Sequence, residues 1–232
     1  MTDLGLENAA DAAVAMVTDG MRVGLGTGRA ATSFVTRLGA RVRNGLRIVG
    51  IPTSDATATL ATSLGIPLGT LDESEEELAL TVDGADEVSP DLDLVKGFGG
   101  ALVRERIVAA ASRRQVIVVG HDKLVDRLGT RGRVPIEVVP FGCGPVLRRV
   151  RALGLTPTLR RMDAAPVISA NGNLTIDCGL DAPLADARAA RTLERELRAI
   201  PGVVDTGLFL GTADVVLVGY PDGRVDVRHA RR

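Results

Sequence analysis

The sequence is poor in aromatic residues, cysteine and histidine, and each shortage excludes a class of protein. Tryptophan is absent and aromatic residues make up 2% of the 232 residues, which argues against binding nucleic acid by base stacking. Cys143 and Cys178 are far apart, with neither a metal-binding spacing nor a disulfide framework, as expected in a reducing compartment. A reaction that needs a catalytic histidine finds little support, since only His121 and His229 are available.

Charge and hydropathy exclude further classes. The chain has 28 Lys and Arg against 29 Asp and Glu, whereas a domain that binds polyanions is normally more basic. No apolar run approaches transmembrane length, and residues 2–7 lack the basic start and apolar stretch of a signal peptide. We therefore expect a soluble, cytoplasmic protein without nucleic-acid or membrane partners.

The first half of the chain alternates between predicted strands and helices. Apolar segments at 21–25, 46–51, 78–82 and 115–120 predict strands, with another near Thr70, and helices are predicted between them. This alternation predicts an α/β fold, a mostly parallel open sheet with helices on both faces, similar to the Rossmann fold.

The pattern changes near residue 131. Strands at 134–139 and 158–161, a helix at 144–153 and a hairpin around Asn171-Gly172-Asn173 predict a smaller α+β lid subdomain. The apolar segment 207–218 then provides strands that return to the first domain. We therefore expect residues 1–130 and 207–232 to form a catalytic α/β domain, and residues 131–206 an inserted lid.

A glycine loop, Gly24-Leu25-Gly26-Thr27-Gly28, lies between the first predicted strand and helix. Backbone N–H groups at such a place, with the helix N-terminus behind them, can bind phosphate. The loop lacks the third glycine of a dinucleotide fingerprint, since Arg29 stands there, and it lacks the Gly-Lys-Ser/Thr of a P-loop. Because glycine turns there are often only structural, the loop alone identifies no ligand, and Arg29 could bind phosphate or face solvent.

Residues 83–105 are the most informative stretch. Asp83-Gly84-Ala85-Asp86-Glu87 follows a predicted buried strand, and Lys96-Gly97-Phe98-Gly99-Gly100 precedes a predicted helix that contains Glu105. A base, further acids, a cation and bare backbone amides suit proton transfer on a small phosphorylated substrate. Each residue also has a purely structural alternative. Asp83 and Asp86 could cap a turn, Lys96 could be a solvated surface lysine, and Glu105 could belong to a solvated Arg-Glu-Arg surface. Lys123, after another strand end, is a second candidate anion ligand.

Several segments together resemble the type A ribose-5-phosphate isomerases. They are Gly-Leu-Gly-Thr-Gly-Arg (24–29), Thr-Ser-Asp-Ala-Thr (53–57), Val-Asp-Gly-Ala-Asp-Glu (82–87), Lys-Gly-Phe-Gly-Gly-Ala-Leu-Val-Arg-Glu (96–105), Val-Pro-Ile-Glu-Val-Val-Pro (134–140) and Ile-Pro-Gly-Val-Val (200–204). The match runs in order over nearly the whole chain. It departs from the family pattern at Arg29 and Ala30, which replace two hydroxyl residues, and at Phe98, which replaces a usual glycine.

This resemblance implies interconversion of D-ribose 5-phosphate and D-ribulose 5-phosphate through an enediolate, in the non-oxidative branch of the pentose phosphate pathway. It implies neither metal nor organic cofactor, and a homodimer or homotetramer. It also implies that Glu105 is the base that moves a proton between C1 and C2, and that Asp83, Asp86 and Lys96 serve ring opening, hydroxyl proton transfer and enediolate stabilisation. The implied substrate-binding residues are Thr27, Gly28, Arg29, Ala30, Asp83, Gly84, Ala85, Asp86, Lys96, Gly97, Phe98, Gly99 and Lys123.

Other functions remain open at this level. A deaminase of the glucosamine 6-phosphate type would share the glycine loop and the acids, but would need a catalytic histidine. A sugar-phosphate sensor of a transcription regulator would need a basic helix-turn-helix extension, which we do not expect because the chain begins almost directly at the first α/β unit. A phosphate-binding protein without turnover is a further alternative.

Overall fold

The computed structural model describes residues 4–73 and 75–230. Residues 2 and 3 of the segment tested for a signal peptide lie outside the described residues. Over the described residues the helices are α1 (Leu4–Ala15), α2 (Arg29–Arg43), α3 (Asp55–Ser63), α4 (Leu102–Ala110), α5 (Cys143–Ala152) and α6 (Ala187–Arg198). The strands there are β1 (Arg22–Leu25), β2 (Val49–Pro52), β3 (Leu80–Asp83), β4 (Glu87–Val88), β5 (Leu94–Val95), β6 (Gln115–Gly120), β7 (Arg133–Val138), β8 (Thr156–Leu159), β9 (Arg161–Met162), β10 (Ala165–Pro166), β11 (Leu174–Gly179), β12 (Val203–Thr206), β13 (Leu208–Phe209), β14 (Val215–Gly219) and β15 (Val225–His229).

The described chain divides into two compact units. The first contains residues 4–73, 75–85, 104–123 and 212–230, and the second contains residues 86–103 and 124–211. The predicted lid, residues 131–206, lies within the second unit, which also contains segments that the sequence prediction had assigned to the first domain. The assignment of a catalytic role to one domain and of a lid role to the other remains a prediction.

The first unit is built on a sheet with the strand order β15-β14-β6-β3-β1-β2. Neighbouring strands are parallel except for β15, which pairs antiparallel with β14. Parallel neighbours need crossover connections, and α2 and α3 follow β1 and β2 in the chain. The predicted α/β fold with a mostly parallel sheet is thus confirmed. Of the last strands, β14 and β15 belong to this sheet, whereas β13 pairs with β5.

Helices cover both faces of this sheet. Val23, Leu25 and Val82 belong to one buried cluster with residues of α1 and α2, such as Phe34. Side chains alternate along a strand, so Gly24 and Thr81 face the other way, and there a Cβ at Gly24 would overlap Val108 of α4 and Thr81. Asp83, two residues after Thr81, is therefore on the face that α4 covers.

The second unit contains antiparallel sheets. Its larger sheet has the order β12-β7-β11-β8, and a smaller one has the order β13-β5-β4. Ile136 and Ile176 of the larger sheet share a buried cluster with Val146 of α5 and Leu197 of α6. The predicted α+β character of this region is confirmed.

The strand predicted near Thr70 is reduced to a single parallel β-bridge between Leu68 and Gly50. The Thr70 N–H donates to the Glu73 carboxylate at 3.1 Å, and residues Leu71–Glu73 form a short 3-10 helix. This local hydrogen bond directs the backbone into a turn. The strands β4, β5, β10 and β12 were not foreseen from sequence, and β4, β5 and β10 contain two residues each, too few to show a period.

None of the helices formed by residues 4–73 and 75–230 combines the length and the apolar character needed to cross a bilayer.

Candidate active site

The carboxyl ends of β1, β2 and β3 bring three polar residues of the first unit together. Thr27 and Thr53 follow β1 and β2 closely, and Asp83 ends β3. Because carboxyl ends of neighbouring parallel strands meet at one edge of the sheet, these residues become neighbours. The Thr27 and Thr53 hydroxyl oxygens are 2.7 Å apart, and the Thr27 N–H donates to Asp83 Oδ1 at 3.0 Å.

Asp83 is enclosed by backbone. Its side chain is buried, with the residue 2% exposed, and its Oδ1 also accepts the Gly84 N–H at 2.7 Å. A Cβ at Gly26 would overlap this carboxylate. The glycine loop is therefore required here for packing, because only glycine leaves room for the carboxylate of Asp83.

A network of hydroxyl groups supports the same loop and was missed by sequence reasoning. Ser54 caps α3 by accepting the Thr57 N–H at 3.2 Å. The Thr57 hydroxyl donates to the Gly26 carbonyl at 2.8 Å, and the Thr27 hydroxyl donates to Ser54 Oγ at 2.9 Å. The sequence offered one signal for this network, because Thr53, Ser54 and Thr57 come just after β2, the strand beside β1.

The N-terminus of α2 lies directly after this loop. Gly28 is the N-cap with φ 98°, a conformation that favours glycine, and Arg29 and Ala30 form the start of the helix. Arg29 is exposed. Since the first N–H groups of a helix and its dipole favour anions, this end of α2 can accept a phosphate.

Glu105 lies in the first turn of α4 and is 5% exposed. The alternative of a solvated surface is therefore wrong for this residue, although its neighbour Arg104 does form a surface ion pair with Asp55 at 3.0 Å. Burial of a carboxylate costs free energy unless it is compensated, so a buried glutamate on the sheet face that also bears Asp83 is a candidate for chemistry.

Lys123, half-buried, ends the short 3-10 helix that follows β6.

The second unit holds the other half of the motif. The Asp86 N–H donates to the Val95 carbonyl at 2.8 Å, and Asp86 Oδ2 accepts the Phe98 N–H at 2.9 Å. Lys96 is 2% exposed, and its Nζ lies 5.5 Å from the centroid of the Phe209 ring. The alternative of a solvated lysine is therefore wrong, and the loop that follows is fixed against the acid.

Glu87, the last acid of the motif, has a different role in the fold. It is fully buried, and its carboxylate accepts the backbone N–H groups of Gly129, at 2.6 Å, and of Arg131. These bonds hold the segment that leads into β7.

Among the described residues, some of the predicted site residues are neighbours within each unit. Thr27, Ala30, Asp83 and Gly84 are neighbours in the first unit, and Asp86 and Phe98 are bonded in the second. Within residues 4–73 and 75–230, no three His, Cys, Asp or Glu side chains are grouped in a way that could hold a metal ion.

Comparison with known proteins identifies the family. The model of the family ribose 5-phosphate isomerase A (phosphoriboisomerase A) matches residues 49–223. The chain belongs to the ribose 5-phosphate isomerase A family. A ribose-5-phosphate isomerase A of Roseiflexus sp. (strain RS-1) is 47% identical over 224 residues, which cover 95% of this chain and 94% of that relative.

Solved structures agree with this membership in the ribose 5-phosphate isomerase A family. Ribose 5-phosphate isomerase A from Methanocaldococcus jannaschii is 40% identical and has a TM-score of 0.89, with 98% of both chains covered. A D-ribose-5-phosphate isomerase in complex with phospho-erythronic acid is 35% identical and has a TM-score of 0.90, with 99% of this chain and 100% of that chain covered.

Proposed function

We propose that this chain interconverts D-ribose 5-phosphate and D-ribulose 5-phosphate through an enediolate. The observation that supports this most directly is that the acids and the lysine of the family motif, Asp83, Lys96 and Glu105, are all buried. Buried ionisable groups that keep their place in a family motif are typical of catalytic sites. The solved relative in complex with phospho-erythronic acid supports a sugar-phosphate ligand.

In this proposal Glu105 is the base. It removes the proton next to the carbonyl and returns it to the neighbouring carbon, so a single carboxylate serves both halves of the reaction. The enediolate formed between the two transfers carries negative charge on oxygen, which the Lys96 ammonium stabilises. Asp83 and Asp86 share ring opening and the proton transfers of the hydroxyl groups. No step requires a cofactor.

The substrate is held largely by backbone. The N-terminus of α2, from Thr27 to Ala30, together with Lys123, is suited to the phosphate. The N–H groups of Ala85, Gly97 and Gly99 are suited to the sugar oxygens, whereas those of Gly84 and Phe98 already bond Asp83 and Asp86. Arg29, at the start of α2, supplies positive charge where the family pattern has a hydroxyl residue, and this charge favours a phosphate at that end of the helix.

The test is turnover of D-ribose 5-phosphate by the purified chain with EDTA present. Glu105→Gln removes the base while keeping the shape, so we expect kcat to fall at least ~100-fold, the usual scale for loss of a general base. Glu77→Gln is the matched control, because Glu77 is exposed and pairs only at the surface with Arg113.

Near-parental kcat in a folded Glu105→Gln variant would exclude Glu105 as the base. No turnover by the parent would contradict the isomerase function. Release of ammonia from glucosamine 6-phosphate would then indicate the deaminase, and binding of ribose 5-phosphate without turnover would indicate a binding protein.

We further propose a place in the non-oxidative pentose phosphate pathway, a cytoplasmic location and a homodimer or homotetramer. The fully exposed Phe141 in the second unit supports an assembly, since exposed aromatic residues are enriched at interfaces. Light scattering of the purified chain distinguishes the two oligomers from a monomer.

A further inference from the structure

The Lys96–Gly100 loop of the second unit is bound by one guanidinium group. Arg160 Nη1 donates to the carbonyl of Gly97 at 3.1 Å and to that of Phe98 at 3.0 Å. Two successive carbonyls of the loop are therefore directed at the same nitrogen. Arg160 itself lies between β8 and β9, and its N–H donates to Thr175 of β11 at 2.9 Å.

The guanidinium is in turn held by Asp177. Arg160 Nε donates to Asp177 Oδ2 at 3.1 Å, and Nη2 donates to Oδ1. The two side chains are 15% and 12% exposed. A bidentate pair of this kind fixes the orientation of both groups, so Nη1 remains aimed at the loop.

The same ion pair accommodates the unusual Phe98. Arg133 Nη1 lies 3.4 Å from Asp177 Oδ2, and the Arg133 guanidinium carbon lies 4.1 Å from the centroid of the Phe98 ring. A cation at this distance over a ring is attracted to its face. The ring that replaces the usual glycine is thus stacked on a second arginine bound to the same carboxylate.

The direction of the carbonyls determines the direction of the loop N–H groups. In a planar trans peptide the C=O and the following N–H point to opposite sides. With the Gly97 and Phe98 carbonyls on Arg160, the N–H groups of Phe98 and Gly99 point away from it. The Phe98 N–H reaches Asp86 Oδ2 at 2.9 Å on that other side.

We propose that Arg160, oriented by Asp177, is a positioning residue for the isomerase reaction. It sets the direction of the Phe98 and Gly99 N–H groups and, through the Phe98 N–H, the place of the Asp86 carboxylate. The inference rests on the proposed function for its effect on turnover, while its effect on the loop is independent of it. Nothing in the family motif marks Arg160, which acts from outside the reacting groups.

Lysine cannot take over this arrangement. One ammonium would have to bond two carbonyls and both oxygens of Asp177, and it lacks the planar fork that does so in arginine. Arg160→Lys therefore keeps the charge and removes the geometry. Arg161→Lys is the matched control, because Arg161 is the next residue, is exposed, and donates to Ala164 in its own turn.

The experiment measures two quantities on the full chain. The first is steady-state kinetics with D-ribose 5-phosphate, where Arg160→Lys is expected to lower kcat about tenfold or more, with KM changed far less, because misplacement of groups that act in the transition state reduces the chemical step. The second is amide hydrogen exchange of residues 97–100, expected to accelerate in Arg160→Lys alone. Arg161→Lys should match the parent in both.

Parental kcat and unchanged exchange in Arg160→Lys would overturn the proposal, as would an equal loss in Arg161→Lys. If Arg160→Lys does not fold, Asp177→Asn replaces it, since it removes the charge that orients Arg160, and the same two readouts decide. If the parent shows no turnover, the proposed function fails, and the exchange of residues 97–100 still decides whether Arg160 holds the loop.

Discussion

The two glycine loops of this chain are held in different ways. In the first unit the loop at Gly24–Gly28 is supported by neutral hydroxyl groups and by Asp83, all of which follow or end neighbouring strands. In the second unit the Lys96–Gly100 loop is supported by Arg160, which Asp177 orients, and by Asp86. The first arrangement follows from the order of the parallel strands, whereas the second depends on an ion pair between Arg160, which follows β8, and Asp177 of β11.

The difference also concerns the kind of bond. A hydrogen bond between neutral groups contributes about 1 kcal/mol to folding, and a loop needs several of them to stay in place. A bidentate arginine–carboxylate pair is stronger and directional, so one such pair can determine where a loop points. We expect substitutions around the first loop to lower stability by altering packing or by removing hydrogen bonds. Substitutions around the second loop should instead change the direction in which that loop points.

The largest effect on stability is expected from Gly26→Ala. The added Cβ overlaps the Asp83 carboxylate, so the loop must move, and overpacking of this kind costs about 1–3 kcal/mol. Turnover should fall as well, since Asp83 is displaced. Chemical denaturation and steady-state kinetics measure the two effects.

Gly144→Ala is the control for this change. A Cβ at Gly144 of α5 meets only the end of Arg148 at 3.9 Å, so alanine should leave stability unchanged or raise it by up to about 1 kcal/mol. Equal stability of the two variants would show that the close approach of Gly26 to Asp83 is not a constraint.

A smaller effect is expected from Thr57→Val, which keeps the shape and removes one hydroxyl. The Gly26 carbonyl and the Ser54 hydroxyl then lose a buried partner, which costs roughly 1–2 kcal/mol. Thr59→Val serves as the control, because the exposed Thr59 bonds only within α3. A free energy of unfolding that is the same for both variants would mean that the hydroxyl network does not support the loop.

The last effect is absent at neutral pH and appears only at alkaline pH. Burial, followed by the charge of Asp177, raises the pKa of the Cys178 thiol from 9.0 to about 12. The stability that this group contributes is present below pH 9.0 and is lost as the pH rises towards 12, because the unfolded thiol ionises first.

The measurement is the free energy of unfolding of the parent and of Cys178→Ala between pH 8 and 11, roughly the range where the thiol of an unfolded chain ionises. The advantage of the parent over the variant should shrink as the pH rises. Cys143→Ala retains Cys178 and should follow the parent. A pH-independent difference would argue against a buried neutral thiol beside Asp177.

The contrast between the loops explains what could be predicted from sequence. Asp83, Ser54 and Thr27 follow strand ends, so their meeting was foreseeable once the strands were placed in one parallel sheet. The approach of Arg160 and Asp177 to the Lys96–Gly100 loop was not foreseeable, because these residues are more than 60 positions away and no periodic pattern relates them. The burial of Glu105 and Lys96 likewise depends on tertiary packing, and the sequence alone left a solvated position open for both.

Within the described residues, the chain changes unit between Ala85 and Asp86 and returns between Val103 and Arg104. The segment 83–105, which carries the family motif, is therefore divided between the two units, and neither unit is formed by one uninterrupted stretch of chain. Exchange of whole modules between proteins would sever this motif.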